Sequence, residues 1–444
     1  MGESEQGRYL MVWRGLVVIL VGLAVVVTVA VAWLAAGAAF FATAILSSEV
    51  GLLFGVAVVA CLAVGTAGAW LAARLLRRAR PRRWGIAVGA AASTGLVIAA
   101  ILTVLRPLPS TDARQPPEVP AGVRYWTLST GSRLAYLEMP AAGRPEPTPI
   151  VVVGGGPGEA VVSNAAQVRY LGQLARLGYP VYVYDQIGAG LSSRLDDPAG
   201  YTVRRHVADI EAIRQTLRAD RLVLMGSSWG GSLVARYLAR HPDHVAKAIF
   251  TSPAPIDYAQ WPDAGSVSSR LPPRQREQAE DLLPGSPRFL LWYALGAVNP
   301  QAAHRLVPDG EADAYFDTYL DLVQPATVCD PAHLPDQHVT GNGLYDNVFT
   351  TPDARTTHTQ AEARQLLARN HTPALILAGG CDYIPWAVTR QYTTTLPNST
   401  LVCLPRAGHV IYLDEPAAYL NVVTAFLRDA PLPVPPWKRP TPCR

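Results

Sequence analysis

A serine, an aspartate and a histidine, each placed just after an apolar run, form a set that could cleave acyl bonds. Ser228 lies in the G-x-S-x-G pattern Gly226–Gly230, between the strand-like run Leu222–Met225 and a helical pattern. Asp382 and His409 each follow another apolar run of strand length. In such a set the serine attacks, the histidine takes the serine proton, and the aspartate orients the imidazole and stabilises its charged form. We therefore predict that Ser228, Asp382 and His409 are catalytic.

The chain order serine, aspartate, histidine supports this prediction. Parallel strands end at one edge of a sheet, so three residues that follow such strands meet there. Asp414 and Glu415 are rival carboxylates, but they come after His409 and suit the start of the last helix. The alternative is that His409 and Asp382 are an ordinary loop histidine and turn aspartate. Ser227, one position before the nucleophile, is expected to support the turn.

Backbone amides for a developing oxyanion are available in a glycine-rich turn. The segment Gly154–Gly158 follows the apolar run Ile150–Val153, and its glycines let backbone N–H groups approach a substrate closely. We predict that the amides of Gly156 and Trp229 form the oxyanion hole, and that the bond between Gly156 and Pro157 is a candidate cis peptide. Phosphate binding by these glycines is disfavoured, because neither G-x-G-x-x-G nor a Walker pattern is present.

Short apolar runs separated by segments of helix length predict the element that positions these residues. The pattern is typical of a mostly parallel sheet with helices on both faces. Eight strands are predicted, at 123–128, 133–139, 150–153, 181–184, 222–225, 248–251, 374–378 and 400–404. The predicted core comprises residues 121–252 and 371–430, with a long insertion at 253–370 and a Pro-rich tail at 431–444.

Four motifs resemble those of α/β-hydrolases of the proline iminopeptidase group. Gly154–Gly158 resembles the family's HGGPG, Tyr184–Ser192 its YDQRGxGxS, Gly226–Gly231 its GxSWGG, and Gly408-His409 its terminal GH. The resemblance covers about residues 121–428 and leaves the front of the chain outside it. It implies an α/β-hydrolase fold, the triad Ser228, Asp382 and His409, and a helical cap formed by residues 253–370.

Departures from the family pattern concern the loops around the site and the substrate. Gly154 stands where the family has His and Ile187 where it has Arg, and because both family residues support loops, we expect hydrolysis to survive. In the peptidases a cap glutamate, often in a Trp-Glu pair, helps bind the substrate's free amino group, whereas Trp292 is followed here by Tyr293. The substrate-binding residues are therefore unknown from sequence. An acidic helical face in the cap, expected to be solvated rather than substrate-binding, consists of Glu311, Asp313, Asp317 and Asp321.

Apolar residues are concentrated at the front of the chain. Half of the 444 residues are hydrophobic, 16% are charged and the mean hydropathy is +0.15, which excludes a long disordered chain and points to lipid. Residues 15–46, 50–73 and 84–105 contain no Asp, Glu, Lys or Arg, and each reaches the roughly 20 residues that cross a bilayer. We predict three transmembrane helices, because the first run exceeds a signal-peptide core of about 7 to 15 residues and soluble helices would need a polar face.

The distribution of arginine predicts the orientation. Six Arg residues lie between the second and third predicted spans, whereas only Glu49 is charged between the first and second. The positive-inside rule places the Arg-rich loop in the cytoplasm and everything after the third span outside it. We predict a multi-pass cell-membrane protein with an extracytoplasmic catalytic domain and a Pro-rich spacer at 107–120. The chain after residue 106 carries a net negative charge, so it offers no basic face for nucleic acid. For the Arg-rich loop, lipid binding is the alternative to a role in topology.

The cysteines fit this placement, because disulfides form outside the cytoplasm. Four of the five follow the predicted spans: Cys329, Cys381, Cys403 and Cys443. We favour a bond between Cys329, in a turn-like part of the cap, and Cys381, which directly precedes Asp382. A bond from Cys381 to Cys403 is less suitable, because neighbouring parallel strands strain the Cα spacing of about 4.4 to 6.8 Å and the side-chain directions that a disulfide prefers. Other pairings stay open, zinc is disfavoured by the lack of CxxC spacing, and Cys61 is expected only to pack within a span.

Three functions are compatible with the sequence. The first is a membrane-anchored extracytoplasmic serine hydrolase that cleaves a peptide or amide bond through an acyl-enzyme, without metal or organic cofactor. The second is an esterase or lipase-like enzyme with the same triad, which a membrane tether would suit if the substrate is amphiphilic. The third is a non-catalytic membrane accessory. It is disfavoured because the spans contain no ionisable residue of the kind that marks a transport path. The expected partners are the substrate and the lipid bilayer.

Overall fold

The computed structural model describes residues 3–75, 81–108, 117, 119–258, 266–282 and 286–443. The helices are α1 Glu3–Leu46, α2 Val50–Leu75, α3 Pro81–Val104, α4 Ala165–Ala175, α5 Val203–Thr216, α6 Trp229–Arg240, α7 Pro273–Leu282, α8 Pro287–Val298, α9 Pro300–Leu306, α10 Asp309–Val323, α11 Leu344–Ala354, α12 Thr357–Leu367, α13 Trp386–Thr395, α14 Ile411–Asp414 and α15 Pro416–Leu427. The strands are β1 Arg124–Thr127, β2 Arg133–Met139, β3 Ile150–Val153, β4 Val181–Tyr184, β5 Leu222–Ser227, β6 Val245–Thr251, β7 Ala374–Gly379 and β8 Ser399–Leu404. The chain forms two units, the first comprising Met1–Leu108 and Ser286–Val307, the second Pro109–Gly285 and Pro308–Arg444.

Among the residues that the structure describes, two helices are long and apolar enough to cross a membrane, which corrects the predicted count of three spans. They are the stretches Gly22–Leu46 and Val50–Arg74, of 25 residues each. In α3 the apolar stretch is Ala91–Val104, and a helix of that length extends about 21 Å, less than the ~30 Å hydrocarbon core. All three runs are free of charged residues, so absence of charge did not distinguish α3 from the two longer apolar stretches.

Small residues let the long helices of the first unit pack closely. A Cβ added to Gly89 of α3 would lie 2.7 Å from the Gly65 carbonyl oxygen of α2. A Cβ added to Gly68 would lie 2.6 Å from the Thr28 methyl group of α1. Close approach at small residues is the packing mode that apolar helices use in lipid.

Two helices of the predicted cap belong to the first unit, which corrects the expectation that residues 253–370 act as one cap. The Arg288 guanidinium of α8 donates to the Val104 carbonyl at 3.1 Å, at the end of α3. The Asn299 amide, between α8 and α9, donates to the Ala44 carbonyl at 2.8 Å, near the end of α1. These side chains satisfy carbonyls that the last turn of a helix leaves without an intrahelical partner.

One eight-stranded sheet, in the order β1-β2-β4-β3-β5-β6-β7-β8, forms the centre of the second unit. β1 and β2 pair antiparallel, as do β2 and β4, whereas every pairing from β4 through β8 is parallel. All eight predicted strands are present, and the predicted mostly parallel sheet is confirmed. The strands are apolar because the sheet is covered: β3 is buried throughout, α6 contacts β3, β5 and β6, and α13 contacts β7 and β8.

The remaining predicted segments lie around this sheet. Of the insertion at 253–370, α7, α10, α11 and α12 belong to the second unit. The Pro-rich tail packs along β8, where the Trp437 amide donates to the Leu401 carbonyl at 2.7 Å and Cys443 forms a disulfide with Cys403, the Cα atoms 5.9 Å apart. Most of the predicted spacer 107–120 lies outside the described residues.

Candidate active site

Ser228 occupies a sharp turn between β5 and α6. Its φ of 51° lies in the left-handed region, which a non-glycine residue adopts only when its surroundings enforce it. The neighbouring glycines make the turn possible, because a Cβ added to Gly226 would lie 2.6 Å from the Gly230 carbonyl carbon and one added to Gly230 only 2.5 Å from the Gly154 carbonyl oxygen. This strand, turn and helix form the nucleophile elbow that the G-x-S-x-G pattern predicts.

Asp382 and His409 meet at the same edge of the sheet. Asp382 follows β7, His409 follows β8, and the His409 Nδ1 atom lies 2.8 Å from Asp382 Oδ1. Both side chains are more than nine-tenths buried, at 8% and 6% exposure. A second hydrogen bond, from the Ile384 amide to Asp382 Oδ1 at 3.0 Å, fixes the carboxylate. The carboxylate can therefore hold the imidazole in the tautomer that leaves Nε2 free to act as a base.

Tyr383, which the sequence did not single out, lies beside two of the predicted catalytic residues, Ser228 and His409. Its hydroxyl lies 3.4 Å from His409 Nε2 and close to the Ser228 side chain, and its ring centroid lies 4.4 Å from that of His409. Burial raises the pKa of this phenol, so it remains protonated. Between residues 228 and 409 themselves, both of which are described, no direct hydrogen bond is formed. The only feature of the sequence that could have pointed to Tyr383 is its position directly after Asp382, because no spacing pattern identifies a tyrosine at this place.

The glycine-rich turn after β3 lies beside the nucleophile. A Cβ added to Gly155 would lie 3.4 Å from the Ser228 Cβ, and the bond between Gly156 and Pro157 is cis, as the sequence suggested. Gly156 has a φ of 104°, which a residue with a side chain rarely adopts. Among the described residues, no acceptor binds the amides of Gly156 or Trp229, which leaves both N–H groups open to an oxyanion. Their use as the oxyanion hole stays a prediction.

Gln186 connects the two sides of the predicted oxyanion hole. Its amide nitrogen donates to the Gly154 carbonyl at 2.9 Å, and its amide oxygen accepts from the Trp229 indole at 3.2 Å. The preceding Asp185 accepts three backbone amides, and burial raises its pKa to about 6 despite these hydrogen bonds. The Tyr-Asp-Gln motif therefore acts as a support for the turn rather than as a reacting group.

Glu159 is a second residue that the sequence analysis missed. It is half-buried in the turn, lines the cavity and accepts the Gly155 amide at 2.5 Å, and desolvation raises its pKa. His409 is close enough to stabilise its charged form in part. The sequence feature that could have identified Glu159 is its position directly after the glycine-rich turn, although no general pattern assigns a role to a carboxylate there.

A cavity of about 860 Å³ opens beside these residues. It is lined by Ser228, Trp229 and His409, by aromatic and aliphatic side chains including Phe316 and Leu171, and by the carboxylate of Asp321. Such a volume admits a substrate of the size of a small peptide or a short acyl ester.

The acidic face of the cap differs from its expected role. A solvated surface was expected, but Asp313 is buried and forms an ion pair with Arg194 at 2.8 Å, and burial raises its pKa to about 7. Asp317 accepts the amides of Gly341 and Asn342, each at 2.9 Å. Asp313 therefore joins the cap to the core, and Asp317 fixes the loop at Gly341 and Asn342. Helical periodicity alone does not distinguish these roles from a solvated face.

A disulfide joins the cap to the loop that carries the acid. Cys329 and Cys381 are bonded, with Cα atoms 5.5 Å apart, as the sequence analysis favoured. Cys381 directly precedes Asp382, so the bond restrains the loop that presents the carboxylate. Cys61 is free and buried in the first unit.

One group in the described part of the chain has metal-ligand geometry, but it lies apart from the triad. Ligand atoms of Glu211, His241 and His244 all fall within 4.8 Å of one another, near the end of α6 opposite Ser228. The Glu211 carboxylate already accepts hydrogen bonds from Arg214 and from Tyr237. A cation would have to displace a guanidinium, so this group is better explained as an ion-pair network.

Comparison with known proteins agrees with this geometry. The pattern of the alpha/beta hydrolase fold family matches residues 148–416. The chain is similar to a proline iminopeptidase of Heyndrickxia coagulans, 26% identical over 68% of this chain and 96% of that protein. It is also similar to one of Levilactobacillus brevis, 25% identical over 63% of this chain and 88% of that protein. The crystal structure of a Mycobacterium smegmatis proline iminopeptidase is 22% identical with a TM-score of 0.46, covering 69% of this chain and 98% of that one.

Proposed function

Because the chain belongs to the α/β-hydrolase fold family, we propose that it is a serine hydrolase that cleaves a peptide or amide bond with Ser228, His409 and Asp382. The observation that carries the proposal is the buried contact of 2.8 Å between Asp382 and His409, at the sheet edge where the elbow presents Ser228. The proline iminopeptidase-like relatives support the choice of an amide over other acyl bonds.

The proposed reaction assigns one step to each group. His409 Nε2 takes the Ser228 proton while Oγ attacks the carbonyl carbon, and the Gly156 and Trp229 amides bind the oxygen that becomes negative. The carbon–nitrogen bond then breaks, its electron pair stays on the leaving nitrogen, and that nitrogen receives the proton from His409. Water attacks the acyl-enzyme with His409 again acting as base, which releases the acid and restores Ser228.

Ester hydrolysis is the second candidate, favoured by the cavity lining. Aliphatic and aromatic side chains such as Leu171, Met225 and Phe316 line the cavity beside Ser228. These surfaces suit an acyl chain, and the triad chemistry is common to esters and amides. Rates with aminoacyl amides and with acyl esters of graded chain length would separate the two candidates.

We also propose that the first unit anchors the enzyme in a membrane with the second unit extracytoplasmic. The stretches Gly22–Leu46 and Val50–Arg74 support the anchor. Although α3 is not counted as a span, it packs along α2, and α8 connects its end to that of α1, because Arg288 binds the Val104 carbonyl of α3 and Asn299 the Ala44 carbonyl of α1. The chain thus leaves the first unit opposite the Arg-rich loop, which the positive-inside rule keeps in the cytoplasm. The two disulfides agree with an oxidising compartment.

The nucleophile is tested in the full-length protein. Ser228→Ala should leave folding intact and lower turnover by at least about 10³-fold, because the acyl-enzyme can no longer form. Ser227→Ala, one residue away, should be milder and serves as the matched control. Fluorophosphonate labelling of the wild type, lost only in Ser228→Ala, identifies the nucleophile independently of the substrate. Equal activity of Ser228→Ala and wild type would exclude the triad, and failure of the wild type to label would favour a non-catalytic accessory.

The orientation is tested with reporter fusions. A reporter active only outside the cytoplasm should be active when fused after Arg106 and inactive when fused near Arg80. The reverse pattern would place the hydrolase in the cytoplasm.

A further inference from the structure

One face of α8 exposes only apolar and aromatic side chains. Leu290, Tyr293 and Val298 are 54%, 58% and 42% exposed, and Ala294 and Ala297 are exposed between them. The spacing i, i+3, i+4, i+7 and i+8 puts these residues on one side of the helix. No charged residue interrupts this face, which we call the α8 outer face.

The opposite side of α8 is apolar as well. Phe289, Trp292 and Leu295 are buried, and the Phe289 and Trp292 rings pack with centroids 5.1 Å apart. A helix at a water-exposed protein surface normally has one polar face. In α8 the one charged residue, Arg288, is buried and hydrogen-bonded, so neither face offers a polar surface, which indicates that the outer face meets something other than water.

Polar contacts fix α8 and α9 at the end of the first unit where α1 and α3 finish. Asn299 donates to the carbonyls of Ala44 at 2.8 Å and Ser47 at 3.3 Å, and Arg288 donates to Val104 at 3.1 Å. Arg305 of α9 forms an ion pair with Glu49, in the turn between α1 and α2. The α8 helix is therefore held beside the ends of the apolar stretches.

The ends of those stretches are themselves exposed and apolar. Ile45 and Leu46 at the end of α1 are 72% and 88% exposed, and Leu105, just after α3, is 54% exposed. The α8 outer face thus continues an apolar surface that belongs to the same unit.

We propose that α8 lies in the interface of the lipid bilayer, with its outer face inserted between the headgroups and the start of the acyl chains. At 12 residues it extends about 18 Å, too short to cross a bilayer but suited to lie in its plane. Tyr293 on the outer face is a residue type that favours the membrane interface. The occupant is lipid rather than a protein partner, because the outer face continues the spans and offers no charge or hydrogen-bonding group besides the Tyr293 hydroxyl. The proposal rests on the membrane anchoring proposed above.

The proposal is tested by measuring the depth of a probe on α8 in the full-length protein. Cys61→Ser removes the free thiol, and Leu290→Cys is labelled with an environment-sensitive fluorophore after reconstitution in nanodiscs of phosphatidylcholine and phosphatidylglycerol. Glu277→Cys, on the exposed polar surface of α7, is the aqueous control, and Leu34→Cys, on the exposed apolar surface of α1, is the membrane control. Val298→Cys repeats the measurement at the far end of the outer face, in case Leu290→Cys does not fold.

We expect a nitroxide placed near the lipid headgroup to quench the probe at 290 at least threefold more than the probe at 277. Iodide in the buffer should quench the probe at 277 more than the probe at 290. Equal quenching at 290 and 277, with 34 quenched by lipid, would overturn the proposal while leaving the anchor intact. Exposure of both 290 and 34 to iodide would refute the anchoring itself, and with it this proposal. Protection of 290 from both quenchers, with cross-links between two copies, would show that a second copy covers the outer face and would also overturn it.

Discussion

The two units of the chain hold their residues in place by different forces. In the second unit, strand hydrogen bonds and buried polar contacts, such as Asp382 to His409 and Gln186 to Trp229, set the position of each group at the sheet edge. In the first unit, the long helices pack through small residues, and the polar contacts described above lie at helix ends. The second unit therefore supplies its own polar scaffold, whereas the long helices of the first unit are positioned by close packing at small residues.

A pair of glycine substitutions gives the largest expected contrast between the units. Gly230→Ala should destabilise the second unit by about 3 kcal/mol, because the new methyl group would meet the backbone of β3 and the following turn, which cannot move without breaking the sheet. Gly68→Ala should cost less than about 1 kcal/mol, because it meets the side chain of Thr28, which can rotate. Thermal unfolding of both full-length variants, followed by loss of hydrolase activity, measures the difference. Similar losses in both variants would remove the distinction between the units.

Tyr383→Phe should lower kcat by about 5- to 10-fold, the value of one hydrogen bond of roughly 1 to 1.5 kcal/mol. The ring that packs on His409 is kept, and only the hydroxyl contacts with His409 and Ser228 are lost. Tyr182→Phe is the matched control, because its hydroxyl bonds Glu138 on a neighbouring strand, away from the triad. Steady-state kinetics checks the prediction, and unchanged kcat in Tyr383→Phe would show that the phenol only fills space.

The smallest expected effect concerns the stability of the second unit at low pH, to which Glu211 contributes. Burial alone would raise the pKa of Glu211, but hydrogen bonds from Arg214, Tyr237 and His244 lower it to about 2. A carboxyl whose folded-state pKa is below its ordinary value of 4.5 stabilises the fold above pH 4.5, and this contribution is lost as the pH falls towards 2. Because the pair with Arg214 is partly exposed to solvent, we expect about 1 kcal/mol or less.

Denaturant unfolding at pH 6 and at pH 3 measures this contribution. Glu211→Gln should be less stable than wild type at pH 6 and show a clearly smaller deficit at pH 3, whereas Glu277→Gln, at an exposed site of α7, should match wild type at both. An equal deficit of Glu211→Gln at both pH values would contradict the assigned ion-pair network.

The strands and the Asp382–His409 pair could be predicted because the responsible signals are local. An apolar run of four to seven residues bounded by turn residues specifies a covered strand, and the residue just past it is placed at the sheet edge. The eight strands and the Cys329–Cys381 bond follow from such reasoning. Tyr383 and Glu159 could not be found in this way, because the positions of their side chains depend on contacts between loops.

The first unit shows where sequence reasoning failed. Lack of charge in residues 84–105 suggested a third span, although the apolar stretch found in the described part of α3, Ala91–Val104, is shorter than those of α1 and α2. The assignment of α8 and α9 to the cap followed their place in the chain, but Arg288 and Asn299 join them to helices about 200 residues earlier. A side chain that caps a distant helix has no periodic signature, so only the structure reveals it.

The tail along β8 also has a consequence for neighbouring molecules. β8 is at the edge of the sheet, and an edge strand offers unpaired N–H and C=O groups to which another chain can add. The Trp437 amide already occupies the Leu401 carbonyl, and the bond between Cys443 and Cys403 keeps the tail on that strand. The covered edge therefore protects the sheet from pairing with the sheet of another molecule.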